Sequence, residues 1–117
     1  MNRVLFVDDD ATLLAGLRNV LFRDRKRWEM VFATGGEAAL AEARKQTFDV
    51  VVSDLRMPNI DGATLFKALR EEAPETIRIM LSGSTCETAQ PDIDLLLPKP
   101  CSAAVLRAAI EHALARA

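Results

Sequence analysis

Two cysteines and one histidine are too few for a disulfide framework or an all-Cys/His zinc site. Neither sign of charge dominates: 15 Lys+Arg stand against 17 Asp+Glu, a net −2. That excludes a strongly basic nucleic-acid binder and an acidic disordered tail. No apolar run approaches the ~20 residues of a membrane helix. The apolar stretch before Asp8 is too short for a signal peptide. There is no repeat, low-complexity tract or linker. What is present is 117 residues, half of them hydrophobic. That is enough to bury a core in one domain spanning 1–117, expected to be soluble and cytoplasmic.

Short β-rich runs alternate with helical ones. Residues 3–7 (RVLFV) read as a strand that stops at acids. Leu13, Leu14, Leu17, Val20 and Leu21 then mark one helix face, which is expected to end in the charged run 23–27. That run reads as a solvated helix end. Residues 28–33 (WEMVFA) form a second strand, with Trp28 half-buried. Thr34 is the expected N-cap of an Ala-rich helix over 37–46. The valines of 48–53 (FDVVVS) suggest a strand buried on both faces, as in a parallel sheet. A loop over 54–62, a helix to about Glu72, strands at 76–81 and 93–97, and a last helix through Leu106 and Ile110 complete the chain. The order predicts an open, doubly wound α/β fold with a five-stranded parallel sheet. Ligands of such sheets bind beyond the carboxyl ends of the strands.

Those ends carry the chemistry. Asp8, Asp9 and Asp10 follow the first strand, Asp54 the third, Ser82 and Gly83 the fourth, and Lys99 the fifth. The triple acid alone fits a helix cap as well as a site, and Asp10 is the expected cap. Packed carboxylates repel unless a cation neutralises them. A hard divalent ion such as Mg²⁺, bound by oxygens, suits an open acidic rim. A carboxylate can be a nucleophile toward phosphorus. The transfer also needs a cation and hydrogen-bond donors for the phosphoryl oxygens, here Lys99, Ser82 and the Gly83 N–H.

With V-D-D-D at 7–10, D-L-R-M-P-N-I-D-G at 54–62, M-L-S-G at 80–83 and P-K-P at 98–100, the chain resembles the receiver domain of two-component response regulators. The resemblance implies a flavodoxin-like strand order 2-1-3-4-5. It makes Asp54 the phosphoacceptor, charged from a phosphohistidine of a sensor kinase or phosphotransfer protein. It makes Asp9 a direct Mg²⁺ ligand, assisted by Asp8, with Asp54 and the backbone carbonyl of Arg56 completing the protein ligands. Ser82 would hydrogen-bond the phosphoryl group and Lys99 would ion-pair with it. Gly83 and Ser84 would also contact it, and Lys99-Pro100 would be a cis peptide. Arg56, beside the nucleophile, is expected to affect phosphoryl lifetime. The domain would be a phosphorylation switch rather than an enzyme, with output to a C-terminal or separate effector. Direct contact with nucleic acid or membrane is not expected, and dimerisation is open.

Two departures stand out. Receivers carry an aromatic residue three positions before the lysine; here it is Leu96, in a chain without tyrosine. The stretch from Ser82 to Lys99 is about one helical turn short and contains Pro91, so the fourth helix is expected to be short or irregular. Two rivals follow. One is a degenerate receiver acting as an interaction module. The other is a small Mg²⁺-dependent phosphatase using Asp8 of the D-x-D at 8–10. His112 and Cys86 are assigned no role. Modification of Cys101, beside the Lys99 loop, is expected to disturb the site.

Overall fold

A computed structural model describes residues 1–83 and 92–116. Strands β1 (Asn2–Asp8), β2 (Trp28–Thr34), β3 (Val50–Asp54), β4 (Ile77–Ser82) and β5 (Leu95–Pro98) form one parallel sheet in the order β2-β1-β3-β4-β5. Helices α1 (Ala11–Val20), α2 (Gly36–Lys45), α3 (Gly62–Glu72) and α4 (Ala103–Arg116) cover its two faces. The expectation of a short or irregular helix between β4 and β5 falls on residues 84–91, outside the described part of the chain.

The period-two alternation of side chains builds two half-cores from one sheet. Leu5, Val7 and Val51 point toward Leu65, Phe66 and Leu69 of α3 and Ala39 of α2. Val4, Phe6, Val50 and Val52 point the other way, toward Leu14 of α1 and Leu106, Ile110 and Ala113 of α4. All five residues of β3 are buried, which is why Val50, Val51 and Val52 run together without alternation. The Asp49 side chain accepts from the Arg3 backbone N–H at 2.8 Å, setting the registry of β1 against β3.

The structure corrects four local readings. The Ala-rich helix is not capped by Thr34. Thr34 is the last residue of β2, and Gly35 occupies the N-cap at φ +100° with no side-chain cap. The turn needs a positive φ, which β-branched threonine resists and glycine adopts freely. The apolar face of α1 is narrower than its leucines imply. Leu14 and Leu21 are buried, whereas Leu13 and Val20 are 56% and 52% exposed, one position off the inward line at about 100° per residue. α1 ends at Val20, before the charged run. The run forms a separate 3₁₀ turn, Phe22–Lys26, with Asp24 buried inside it. Trp28, expected half-buried, is 2% exposed because it packs in the α1/α4 half-core.

Candidate functional site

Each strand delivers its site residue by ending. β1 ends at Asp8, whose Oδ1 accepts from the Asp10 backbone N–H at 2.9 Å. Asp10 caps α1, accepting from the N–H groups of Thr12 (2.9 Å) and Leu13 (3.3 Å). The DDD run therefore divides its labour: one acid caps, and the other two face the rim. β3 ends at Asp54, beside Leu81 of β4, and the Leu55 N–H donates to the Leu81 carbonyl at 3.1 Å. One carboxylate oxygen from each of Asp8, Asp9 and Asp54 lies within 4.8 Å of the others. Asp8 and Asp54 are each only 9% exposed, while Asp9 is open to solvent.

Lys99 follows β5 and turns its Nζ onto Asp54 Oδ1 at 2.8 Å, with a cis peptide to Pro100. Its backbone N–H donates to the Ser82 carbonyl at 2.9 Å, tying the ends of β4 and β5 together. Ser82 is buried, and Gly83 is exposed, with none of the described residues crowding the place where a Cβ would stand. Asp54, Arg56, Ser82, Gly83 and Lys99 line one hollow of about 330 Å³, with Arg56 on its solvent side. Ser84 lies outside the described residues.

Three carboxylates face one ammonium, and the imbalance is felt at Asp8. Burial is the largest cause holding its carboxyl above the usual range, and the neighbouring Asp54 charge and a hydrogen bond with Asp9 add to it. The Asp10 N–H and Lys99 oppose the shift without reversing it. A donor set made only of closely spaced carboxylate oxygens fits a hard divalent cation such as Mg²⁺, which would be held by Asp8, Asp9 and Asp54.

Gly62 closes the 54–62 motif and is the first residue of α3. A Cβ there would lie 2.6 Å from the Asp54 carbonyl oxygen and 2.9 Å from Leu55 Cα, both backbone atoms that cannot yield cheaply. The Gly62 N–H donates to the Leu55 carbonyl at 2.8 Å, and Asp61 caps α3 by accepting from Thr64 N–H. The glycine thus lets α3 start directly beneath the phosphoacceptor candidate. The Asp-Gly pair just before an apolar helical run was the available signal. Cys101 is half-buried, and burial pushes its thiol up, away from the reactive thiolate. His112 is exposed on α4, away from the rim.

A parallel doubly wound sheet with this acidic, lysine-bearing rim defines a class of α/β signalling modules. The chain belongs to the response regulator receiver domain family, which it matches over residues 4–111. It is 34% identical over 105 residues to the response regulator receiver protein Anae109_2439 of Anaeromyxobacter, covering 86% of this chain and 43% of that one. It is 39% identical over 128 residues to the virulence sensor protein BvgS of Bordetella pertussis, covering 98% of this chain and 10% of that one. The chain therefore spans less than half the length of these relatives. The chemotaxis protein CheY4 of Vibrio cholerae superposes with a TM-score of 0.84 at 28% identity, covering 97% of this chain and 98% of that one. The chain is a receiver module of phosphorylation-dependent two-component signalling. Among the described residues no helix is long and apolar enough to cross a membrane.

Proposed function

We propose that Asp54 accepts a phosphoryl group from a phosphohistidine of a sensor kinase or phosphotransfer protein, and that the whole chain, 1–117, acts as one such receiver. The observation that carries this reading is the 2.8 Å pair between Lys99 Nζ and Asp54 Oδ1 inside a rim that also holds Asp8 and Asp9. An Asp54 carboxylate oxygen forms the O–P bond as the P–N bond to the donor imidazole breaks. Lys99, already seated on Asp54, follows the new negative charge onto a phosphoryl oxygen, and the Ser82 hydroxyl and Gly83 N–H supply hydrogen bonds. Mg²⁺, held by Asp8, Asp9, Asp54 and the Arg56 carbonyl, would supply the charge neutralisation that lets an anionic phosphoryl group approach an anionic nucleophile. Arg56, which lines the hollow beside Asp54, sets how long the phosphoryl group survives. The chain is a phosphoacceptor rather than an enzyme acting on other substrates. Its output goes to an effector in the same or a separate polypeptide.

The geometry weighs against Asp8 as the nucleophile, since Lys99 seats on Asp54 and Asp8 Oδ1 is turned toward the start of α1. The test is intact mass after incubation with Mg²⁺ and acetyl phosphate, beside Asp54→Asn. One phosphoryl adduct that vanishes in the variant supports the proposal. An adduct that survives moves the nucleophile to Asp8. No adduct, with no Mg²⁺ binding, leaves an interaction module, the reading that Leu96 in place of the family's aromatic residue favours.

A further inference from the structure

The two helix pairs pack on the sheet differently. α2 and α3 meet across Ala39, Leu65, Phe66 and Leu69, all buried. α1 and α4 share one hydrophobic cluster, and Arg107 of α4 donates to the Val20 carbonyl of α1, but they part toward the carboxyl ends of the strands. Between them lies a cavity of about 500 Å³, walled by Phe6, Leu14, Leu17, Val52, Leu81 and Leu106. That size is within the ~300–1,000 Å³ of small-molecule sites, which are mostly apolar with a few placed polar groups. The charged side chains on its wall are Asp8 and Lys99, with the Cys101 thiol beside them, so the cavity opens onto the acidic rim.

The charge at that end selects the occupant. Lys99 is engaged with Asp54, and Arg56 lines the separate hollow on the other side of Asp54. Asp8 meets the cavity with Asp9 and Asp54 close behind it. An anionic headgroup would be repelled. A neutral apolar molecule would gain from burial alone, about 25 cal/mol per Å². A cation on an apolar body gains from both.

We propose that this cavity binds a small organic ammonium ion, its apolar body between α1 and α4 and its ammonium against Asp8. Bound there, it occupies the carboxylate that the divalent cation also needs. The two ligands then weaken each other by the same factor, as linkage requires. An amine would thereby hold the receiver unphosphorylated, independently of any kinase. The proposal rests on the Mg²⁺ reading of the rim only for this competition.

The test is calorimetric titration of the whole chain with octylammonium, octanol and octanoate, without and with saturating Mg²⁺. Octylammonium is expected to bind at least about tenfold more tightly than octanol, and to weaken by about tenfold or more in Mg²⁺. Octanoate is expected not to bind. Leu17→Trp fills the cavity from the half-buried face of α1, and should abolish octylammonium binding while the chain still takes up Mg²⁺. Equal affinity for octanol, indifference to Mg²⁺, undiminished binding in a folded Leu17→Trp chain, or no binding of octylammonium would each overturn the proposal. Phosphorylation of Asp54, read separately by mass, decides the receiver function whichever way the amine result falls.

Discussion

Asp24 and Asp54 are both buried carboxylates at opposite ends of the sheet, and their surroundings handle the charge in opposite ways. Asp24 is 1% exposed, and each of its oxygens has its own guanidinium: Arg27 at 3.0 Å and Arg107 at 2.9 Å. Arg27 in turn bonds Glu111, so the network ties the 3₁₀ turn to α4. Asp54 shares a single lysine with two further acids. Complete pairing makes Asp24 a part of the architecture. Incomplete pairing makes the Asp54 rim a place where a cation gains free energy by binding. A buried charge is therefore not itself a sign of function; the sign is a deficit of opposite charge around it.

The sharpest break between the two is chemical. Asp54→Asn should remove the phosphoryl adduct completely, whereas Asp24→Asn should keep it, both read by intact mass. Loss of the adduct in a folded Asp24→Asn chain would mean that the network reaches the rim.

Stability should separate them in the reverse sense. Asp24→Asn leaves part-buried Arg107 without its counter-charge and Arg27 with Glu111 alone. The expected cost is about 2–3 kcal/mol in urea denaturation, below the ~3–5 kcal/mol of a fully buried pair because Arg27 is half exposed. Asp54→Asn should cost nothing in the metal-free chain, since it removes one of three mutually repelling charges. A large loss there would show that the Lys99 pair is structural.

Next in size is the response to metal. Mg²⁺ at ten times its dissociation constant should add roughly 1.4 kcal/mol to stability, by binding the folded chain alone. Asp24→Asn should keep that increment, and Asp8→Asn and Asp9→Asn should lose it. An increment that survives both rim substitutions would place the ion elsewhere.

The two ends also differ in how they can be read from sequence. The rim residues Asp8, Asp9, Asp54, Ser82 and Lys99 announce themselves because each follows a strand, and strand ends in a parallel sheet share one edge. Helices on both faces follow from the same alternation, whereas the strand order rested on the resemblance to receivers. Asp24 is silent, because its partners are three and eighty-three residues away and it sits among four basic residues that read as a solvated helix end. The cap at Gly35 depended on one backbone angle, and the burial of Trp28 on which elements cover it. The α1/α4 cavity depends on how two distant helices seat on the sheet. None of these is periodic, and periodicity is what a sequence exposes.

The smallest effect is the pH dependence of the metal-free rim, and its sign is the most discriminating. Burial, then the Asp54 charge and the Asp9 hydrogen bond, hold the Asp8 carboxyl above its usual range in the folded chain. Between its unfolded and folded ionisation, the folded state keeps a proton that the unfolded state has released. Stability then falls as pH rises through that window and stays lower above it. Glu72, held below its usual range by the Arg44 guanidinium, acts oppositely, so the measurement is the difference between the natural chain and Asp8→Asn in chelator. That difference should favour the natural chain most at acid pH, decline from the ordinary carboxylate range upward, and level off once Asp8 is ionised. Saturating Mg²⁺ should abolish the decline, because the ion replaces the proton. A difference that instead grows with pH would mean that Lys99 and the Asp10 N–H outweigh burial. Asp8 would then resemble Asp24, a satisfied charge with no deficit for a cation to fill.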